Sequence, residues 1–354
     1  MLDTSDFQPS APDEITAAWL TGALRLQNPT LTVEHLEVTK IIWGTATKVL
    51  LEATYSGQPD VPLSRNLCVK GGLDRRLDDV SDDAIHTMEA RFYGELRHLF
   101  ESSAPECYYA GVDRNGDRGL IVLEDIATTG STFVEPGDVL TVDQVASGLR
   151  HQAKWHAATW GKTAADLPGV GVGSINRKAA KLFYREKYWN SHFAQEGAPQ
   201  YPAKLQNPEL LYRAFKSVWE SDDVAVHSLQ HGDAHLGNTF LRPDGDLGFI
   251  DWQCYCFGPW SYDVAYFLSG ALSVEDRRSS EQDLLRDYLD QLAAAGGPRI
   301  PFDEAWADYV RHLVHGLMWT MTPKVMQPFE RSRIMSDRYV TAVMDHGAVA
   351  DVYA

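Results

Sequence analysis

Cysteine is scarce: the 354 residues contain only Cys68, Cys107, Cys254 and Cys256, and they are scattered. That spacing excludes a disulfide framework and reads as reduced thiols. Cys254 and Cys256 stand too close for a metal finger and have no second Cys or His pair at a fitting interval, so they read as core residues. Long apolar runs are also missing, since no stretch reaches the ~18 residues that a membrane helix needs. The opening MLDTSDFQPSAPDEI carries early aspartates and no basic segment ahead of an apolar run. No secretory signal and no membrane partner are expected, and the reading is cytoplasmic. Basic charge is the third shortage: 32 Lys and Arg against 49 Asp and Glu leave a formal charge of -17. Such a chain repels phosphate backbones and anionic surfaces, so nucleic acid is excluded as an expected partner.

What is present suits a sizeable core, with 44% hydrophobic residues over a length that fits one large domain or two lobes. After a short helix candidate in APDEITAAWLTGALR come strand-like runs: LTVEHLEVTKIIW, TKVLLEATYSG, RNLCVKGG, ECYYAGVDR and RGLIVLEDI. They alternate or are rich in β-branched and aromatic residues, which predicts a mostly antiparallel sheet. One helix interrupts it, SDDAIHTMEARFYGELRHLF, with Ser81 as its N-cap candidate. Beyond EDIATTGSTFVEPGD the texture turns helical. The spacing predicts helices in TVDQVASGLRHQAKWHAATW, INRKAAKLFYREKYWNSHF, NPELLYRAFKSVWES, EQDLLRDYLDQLAAA and FDEAWADYVRHLVHGLMW. Within that helical half, NTFLRPDGDLGFID reads as a hairpin with Asp-Gly at its turn. The chain therefore divides into an N-terminal lobe, residues 1–126, and a C-terminal lobe, residues 127–354.

The segment HGDAHLGN, residues 231–238, concentrates the chemistry. His231, Asp233 and His235 alternate, and on a strand they would project to one face and could ligate a zinc or a two-metal hydrolase centre. A polar turn whose side chains only satisfy backbone groups is the bland alternative. The reading that uses more of the segment is phosphoryl transfer. It needs a carboxylate for the acceptor hydroxyl, an amide oxygen and a carboxylate for magnesium, and a cation for the nucleotide phosphates. Asp233, Asn238, Asp251 and Lys70 could supply them.

HGDAHLGN followed by FIDWQ resembles the catalytic loop and metal-binding aspartate of the aminoglycoside phosphotransferase and choline kinase group, small-molecule relatives of protein kinases. More narrowly, EARFY, LIVLEDI, IDWQ, GPWSYDVAYFL and QPFE resemble the ecdysteroid-kinase-like phosphotransferases. The resemblance runs from about Ile41 to the C-terminus and implies an α+β, two-lobed protein-kinase-like fold that uses ATP and Mg2+. It implies Asp233 as catalytic base or hydroxyl orienter, with Asn238 and Asp251 as magnesium ligands. Lys70 would contact the nucleotide phosphates, with Glu89 as its helix partner. Gly44, Thr45, Ala46 and Thr47 would form the loop over the phosphates, although the glycine set of protein kinases is reduced there to Gly44. Glu124 to Ile126 would be the hinge that meets adenine. Asp263 would brace the catalytic loop, and His156 would pack beneath it as a core residue.

The acceptor site is expected among the helices of residues 174–225 and 303–352. These segments are rich in aromatic residues, among them Phe183, Tyr184, Trp189, Phe215, Trp219 and Trp319, which could be either core or the wall of a groove. An aromatic groove suits a partly apolar, steroid-like alcohol better than a polycation, with hydroxy acids, amino alcohols and aminoglycosides as alternatives. NRKAAKLFYREK is locally basic, either a solvated helix face or a partner for an acidic substrate group. The expectation is a small-molecule kinase. The competing classes are a metal-dependent hydrolase and a catalytically silent kinase-like binder, and the intact set of Lys70, Asp233, Asn238 and Asp251 argues against silence.

Overall fold

The computed structural model describes residues 2–349, apart from 6, 45, 58, 60–61, 75–84 and 101–102. The chain forms two compact units, one of residues 1–132 with 248–254 and one of 133–247 with 255–354.

The first unit carries a five-stranded antiparallel sheet. Its strands are β1 (Thr32–Ile42), β2 (Thr47–Ser56), β3 (Asn66–Gly71), β4 (Cys107–Val112) and β5 (Gly119–Glu124), in the order β1-β2-β3-β5-β4. Strand β2 turns Val49, Leu51 and Ala53 into the core on alternate positions, as the period of a half-buried strand requires. Helix α1 (Ala17–Leu24), capped by Thr16 on the Trp19 N–H, packs Leu20 and Leu24 into the same core.

Among the described residues of the helix anticipated over 81–100, regular α-helix covers α2 (Ile85–Arg91). It widens to a π-turn at Phe92–Leu96 and tightens to a 3-10 turn at Arg97–Phe100. The Ser81 cap lies outside the described residues. The π-turn has a packing partner: Phe92 stacks on Trp252 at 4.1 Å between ring centroids, and Phe100 meets Trp252 edge-on at 4.7 Å. A single wide turn inside a helix re-aims its side chains, and such turns concentrate at functional sites.

The second unit is mainly helical. Helix α3 (Val142–Thr159) starts in a capping box between Thr141 and Gln144. The stretch expected as one helix over 175–193 breaks at Tyr184 and Arg185 into α4 (Asn176–Phe183) and α5 (Glu186–Phe193). Helix α6 (Pro208–Asp222) has Asn207 as cap and Pro at its first position. Short strands follow: β6 (Ser228–Gln230), β7 (Thr239–Leu241), β8 (Leu247–Phe249), whose last two residues belong to the first unit, and β9 (Cys256–Gly258). The turn from β7 is a type I turn over Arg242–Gly245 with Gly245 at φ 86°, the left-handed position that glycine accepts without strain.

Helix α7 (Ser261–Ala271) is buried along its whole length. Around it lie α8 (Val274–Ala294), α9 (Phe302–His312), a 3-10 run at Leu313–Met321, and α10 (Phe329–His346). The four cysteines are free, with Cys254 and Cys256 buried. Among the described residues no helix is long and apolar enough to cross a membrane.

Close packing on α7 depends on two glycines facing Tyr339, whose hydroxyl donates to the Tyr266 carbonyl at 3.0 Å. A Cβ on Gly316 would fall inside the Tyr339 ring. Gly316→Ala should therefore destabilise by about 1–3 kcal/mol through overpacking. At Gly22, inside α1, nothing lies within 4 Å of an added Cβ. Gly22→Ala should stabilise by about 0.5–1 kcal/mol. Calorimetric melting of both variants checks the pair, and equal shifts would refute the packing described.

Candidate active site

Two clusters of polar side chains stand out, one in each unit. In the first, Lys70 near the end of β3 is only 5% exposed. An ammonium held there costs several kcal/mol of desolvation unless it is paired. Glu89 of α2 meets Lys70 Nζ at 2.7–2.8 Å, and Asp251 Oδ1 meets it at 2.9 Å. Burial pulls the ammonium down, but the Asp251 and Glu89 carboxylates outweigh it and hold Lys70 above its ordinary range. Burial pushes Glu89 up, with the Lys70 ammonium opposing. Asp251 sits at φ 67°, a left-handed conformation that Asp tolerates better than most residues. Its neighbour Trp252, fully buried against Phe92, anchors the short segment that carries it.

The other nucleotide-side candidates lie nearby in sequence. Thr47 opens β2, buried, and its hydroxyl donates to the Gly44 carbonyl at 3.3 Å. Thr45 lies outside the described residues. At the end of β5, the Glu124 N–H donates to Glu106 O and the Asp125 N–H to Asn66 O, while Ile126 opens a 3-10 turn capped by Asp125.

In the second unit the loop after β6 is clamped from below. Asp263 of α7, fully buried, accepts the His231 N–H at 2.5 Å and the Gly232 N–H at 3.1 Å. A buried carboxylate bound by amide donors is satisfied without a partner cation. His156 lies in the same core, with Nδ1 2.8 Å from the Tyr288 hydroxyl and Nε2 3.9 Å from Asp263. Burial depresses His156 below the ordinary histidine range.

Above the clamp, Asn238 Nδ2 donates to the Asp233 carbonyl at 2.9 Å and reaches Asp233 Oδ2 at 3.4 Å. That bond fixes the amide with Oδ1 as its remaining group. Asp233 Oδ1 lies 3.5 Å from both Asn176 Nδ2 and the Tyr266 hydroxyl. The Tyr262 hydroxyl donates to Gly232 O at 3.0 Å, and Trp319 Nε1 donates to the Tyr266 hydroxyl at 2.9 Å. The Trp319 ring meets His235 edge-on at 5.0 Å.

The histidines of the loop face the backbone. His231 Nδ1 accepts the Asp233 N–H, and His235 Nδ1 accepts the Gly237 N–H. His231, Asp233 and His235 do not bring a three-donor metal set together among the described residues. The loop is not a strand there, so alternation in sequence gives no common face.

The positioning residues Asn176, Tyr262 and Tyr266 were not legible as site residues. Tyr262 and Tyr266 are four apart on one helix with Asp263 between them, a spacing that places all three toward the loop. Of the ten aromatics expected near the acceptor, Phe183, Tyr184, Trp189, Phe215, Trp219 and Trp319 are buried, and Tyr188, Phe193, Tyr212 and Trp306 are half-buried. Most pack on one another as core, as in the Tyr184–Phe215 contact at 5.1 Å, and Trp319 stands out by its bond to Tyr266.

The sequence profile of the ecdysteroid kinase-like family matches residues 65–296, about two-thirds of the chain. No curated protein matches in sequence. The choline kinase of Cryptosporidium parvum Iowa II is similar in structure, with TM-score 0.55 at 11% identity, over 95% of this chain and 97% of that one. Spectinomycin phosphotransferase, solved with ADP and spectinomycin, gives TM-score 0.52 at 12% identity over 95% and 99%. The ethanolamine kinase of Plasmodium vivax gives 0.51 at 12% over 86% and 81%. The fold is thus the α+β protein-kinase-like one.

Asp263→Asn keeps the size of the clamp but puts an NH2 where one loop amide needs an acceptor. The change should cost about 1–3 kcal/mol, the price of a buried donor left unmet. Hydrogen exchange at the His231 and Gly232 amides should quicken. Protection unchanged from wild type would show that the clamp is not what orders the loop.

Proposed function

The chain belongs to the ecdysteroid kinase-like family of small-molecule kinases, and we propose that it transfers the terminal phosphoryl group of ATP to a hydroxyl of a partly apolar, steroid-like alcohol. The observation that carries this reading is the clamped loop that holds Asp233 and Asn238 together, in a chain whose other unit holds a buried lysine between two carboxylates.

Asp233 takes the acceptor proton. As the hydroxyl oxygen bonds to the γ-phosphorus, the bond from that phosphorus to the bridging oxygen breaks, and ADP leaves with the electron pair. Asn176 and Tyr266 orient the Asp233 carboxylate, and Asp263 holds the loop that presents it. Lys70 meets the nucleotide phosphates, with Glu89 fixing its position. Asp251 occupies the ammonium now and would share it with phosphate. Gly44, Thr45 and Thr47 cover the phosphates, and Glu124 to Ile126 meet the adenine edge.

The residues offered to magnesium fit that ion. Asn238 has its amide oxygen as the remaining group, and Asp251 is a partly exposed carboxylate, so both donors are hard oxygens. When bound, magnesium neutralises charge on the phosphates. Support for a steroid-like acceptor comes from the rings of Tyr262, Tyr266, His235 and Trp319 around Asp233, and from the family's name. The same rings would also hold a quaternary ammonium, so amino alcohols are the second reading.

Asp233→Asn keeps shape and loses the proton acceptor. Turnover should fall by about 10² to 10⁴, with magnesium-ATP binding nearly unchanged by calorimetry. Asp251→Asn should instead weaken magnesium-ATP binding. An ATP-consumption screen over sterols, amino alcohols, hydroxy acids and aminoglycosides names the acceptor. Undiminished turnover in Asp233→Asn, with the acceptor so found, would refute the mechanism.

A further inference from the structure

Away from the loop, Asp222, His312 and His315 form the one group of three or more His, Cys, Asp or Glu, among the described residues, whose donor atoms all lie within 4.8 Å of one another. All three are buried. They come from the last residue of α6, the last residue of α9 and the 3-10 turn that follows α9.

The hydrogen bonding leaves an acceptor facing an acceptor. His312 Nδ1 lies 2.7 Å from the Asp308 carbonyl, which can only accept, so Nδ1 carries the ring proton. In a neutral ring Nε2 then presents a lone pair, and it lies 2.9 Å from Asp222 Oδ1. Either a second ring proton or a metal ion must bridge that contact. Arg177 pairs with the other oxygen, Asp222 Oδ2, at 3.6 Å and more closely with Asp223 at 2.6 Å, and it does not bridge Oδ1 to the imidazole. Beside the pair stands a second imidazole whose Nε2 is buried and has no hydrogen-bond partner. His315 is 4% exposed, and its ring stacks beside His312 at 5.6 Å between centroids.

We propose that Asp222, His312 and His315 bind a structural zinc ion. Two imidazoles and one carboxylate suit zinc, and each donor sits about 2.0–2.2 Å from such an ion. Donors at that range on one ion lie roughly 3 Å apart, as Asp222 and His312 already do. His315 supplies the third donor, within 4.8 Å of the other two. The Asp308 carbonyl fixes the tautomer of His312 that offers Nε2, the task of an outer partner in zinc sites. The ion would tie α6 to the end of α9 and to the 3-10 turn that carries Trp319. This site is separate from the magnesium donors and does not depend on the kinase reading.

The test loads full-length protein with zinc, removes loose metal by desalting and measures metal by mass spectrometry. Wild type should keep one zinc per chain. His315→Gln and Asp222→Asn should lose it, whereas Asp251→Asn should retain it. Cobalt substituted into wild type should give the visible bands of a low-coordinate ion, a readout that stands even if a variant fails to fold. Wild type without zinc or cobalt bands overturns the proposal. So does full zinc in His315→Gln, or nitrogen NMR showing His312 protonated at both ring positions in zinc-loaded wild type.

Discussion

An ammonium removed from water must be met by carboxylates, and the first unit is arranged around that requirement at Lys70. Strand β3 carries the cation into the core, α2 supplies Glu89, and a short segment from far along the chain supplies Asp251. The two anions come from elements that share no local sequence, so the salt bridges work as tertiary restraints as well as charge compensation. Trp252 completes the arrangement by stacking on Phe92, and the departure of α2 from regular α-helix begins at that residue.

The loop in the second unit solves the opposite problem. There the buried charge is the Asp263 carboxylate, and backbone amides satisfy it. The two solutions differ in what they permit. A cation paired with side chains can exchange one carboxylate for a phosphate at little cost, whereas amides fixed in a turn have no substitute partner. In the proposed reaction the first would be an exchangeable grip for the nucleotide and the second a fixed mount for the carboxylate that meets the acceptor.

Much of this was legible in the sequence. Strands β1 to β5 fall on the alternating runs, α3 and α6 lie within the predicted helical segments, and the Asp-Gly turn is where the pattern puts it. The fold was carried by HGDAHLGN and FIDWQ, and the family by EARFY, LIVLEDI, IDWQ, GPWSYDVAYFL and QPFE. The break between α4 and α5 was not legible, since Tyr184 and Arg185 are ordinary helix residues and tertiary packing ends the helix there. The aromatic segments left the choice open for a related reason: a tryptophan buried in core and one lining a groove read identically. Asn176, Tyr262 and Tyr266 near Asp233, and the Asp222, His312 and His315 group, join residues tens of positions apart. Spacing rules along the chain do not reach that far.

The membership of residues 248–254 has a consequence for modularity. The sheet unit is discontinuous: its own core includes Trp252, and its buried lysine is neutralised partly by Asp251, both encoded after more than a hundred residues of the helical unit. A fragment that stops at Thr132 would expose the faces of Phe92 and Phe100 and leave Lys70 with Glu89 alone. The sheet unit of this protein is therefore not a transferable cassette. Recombination that exchanged the first 132 residues between relatives would have to carry a matching seven-residue insert along with them, which binds the two halves to a shared ancestry.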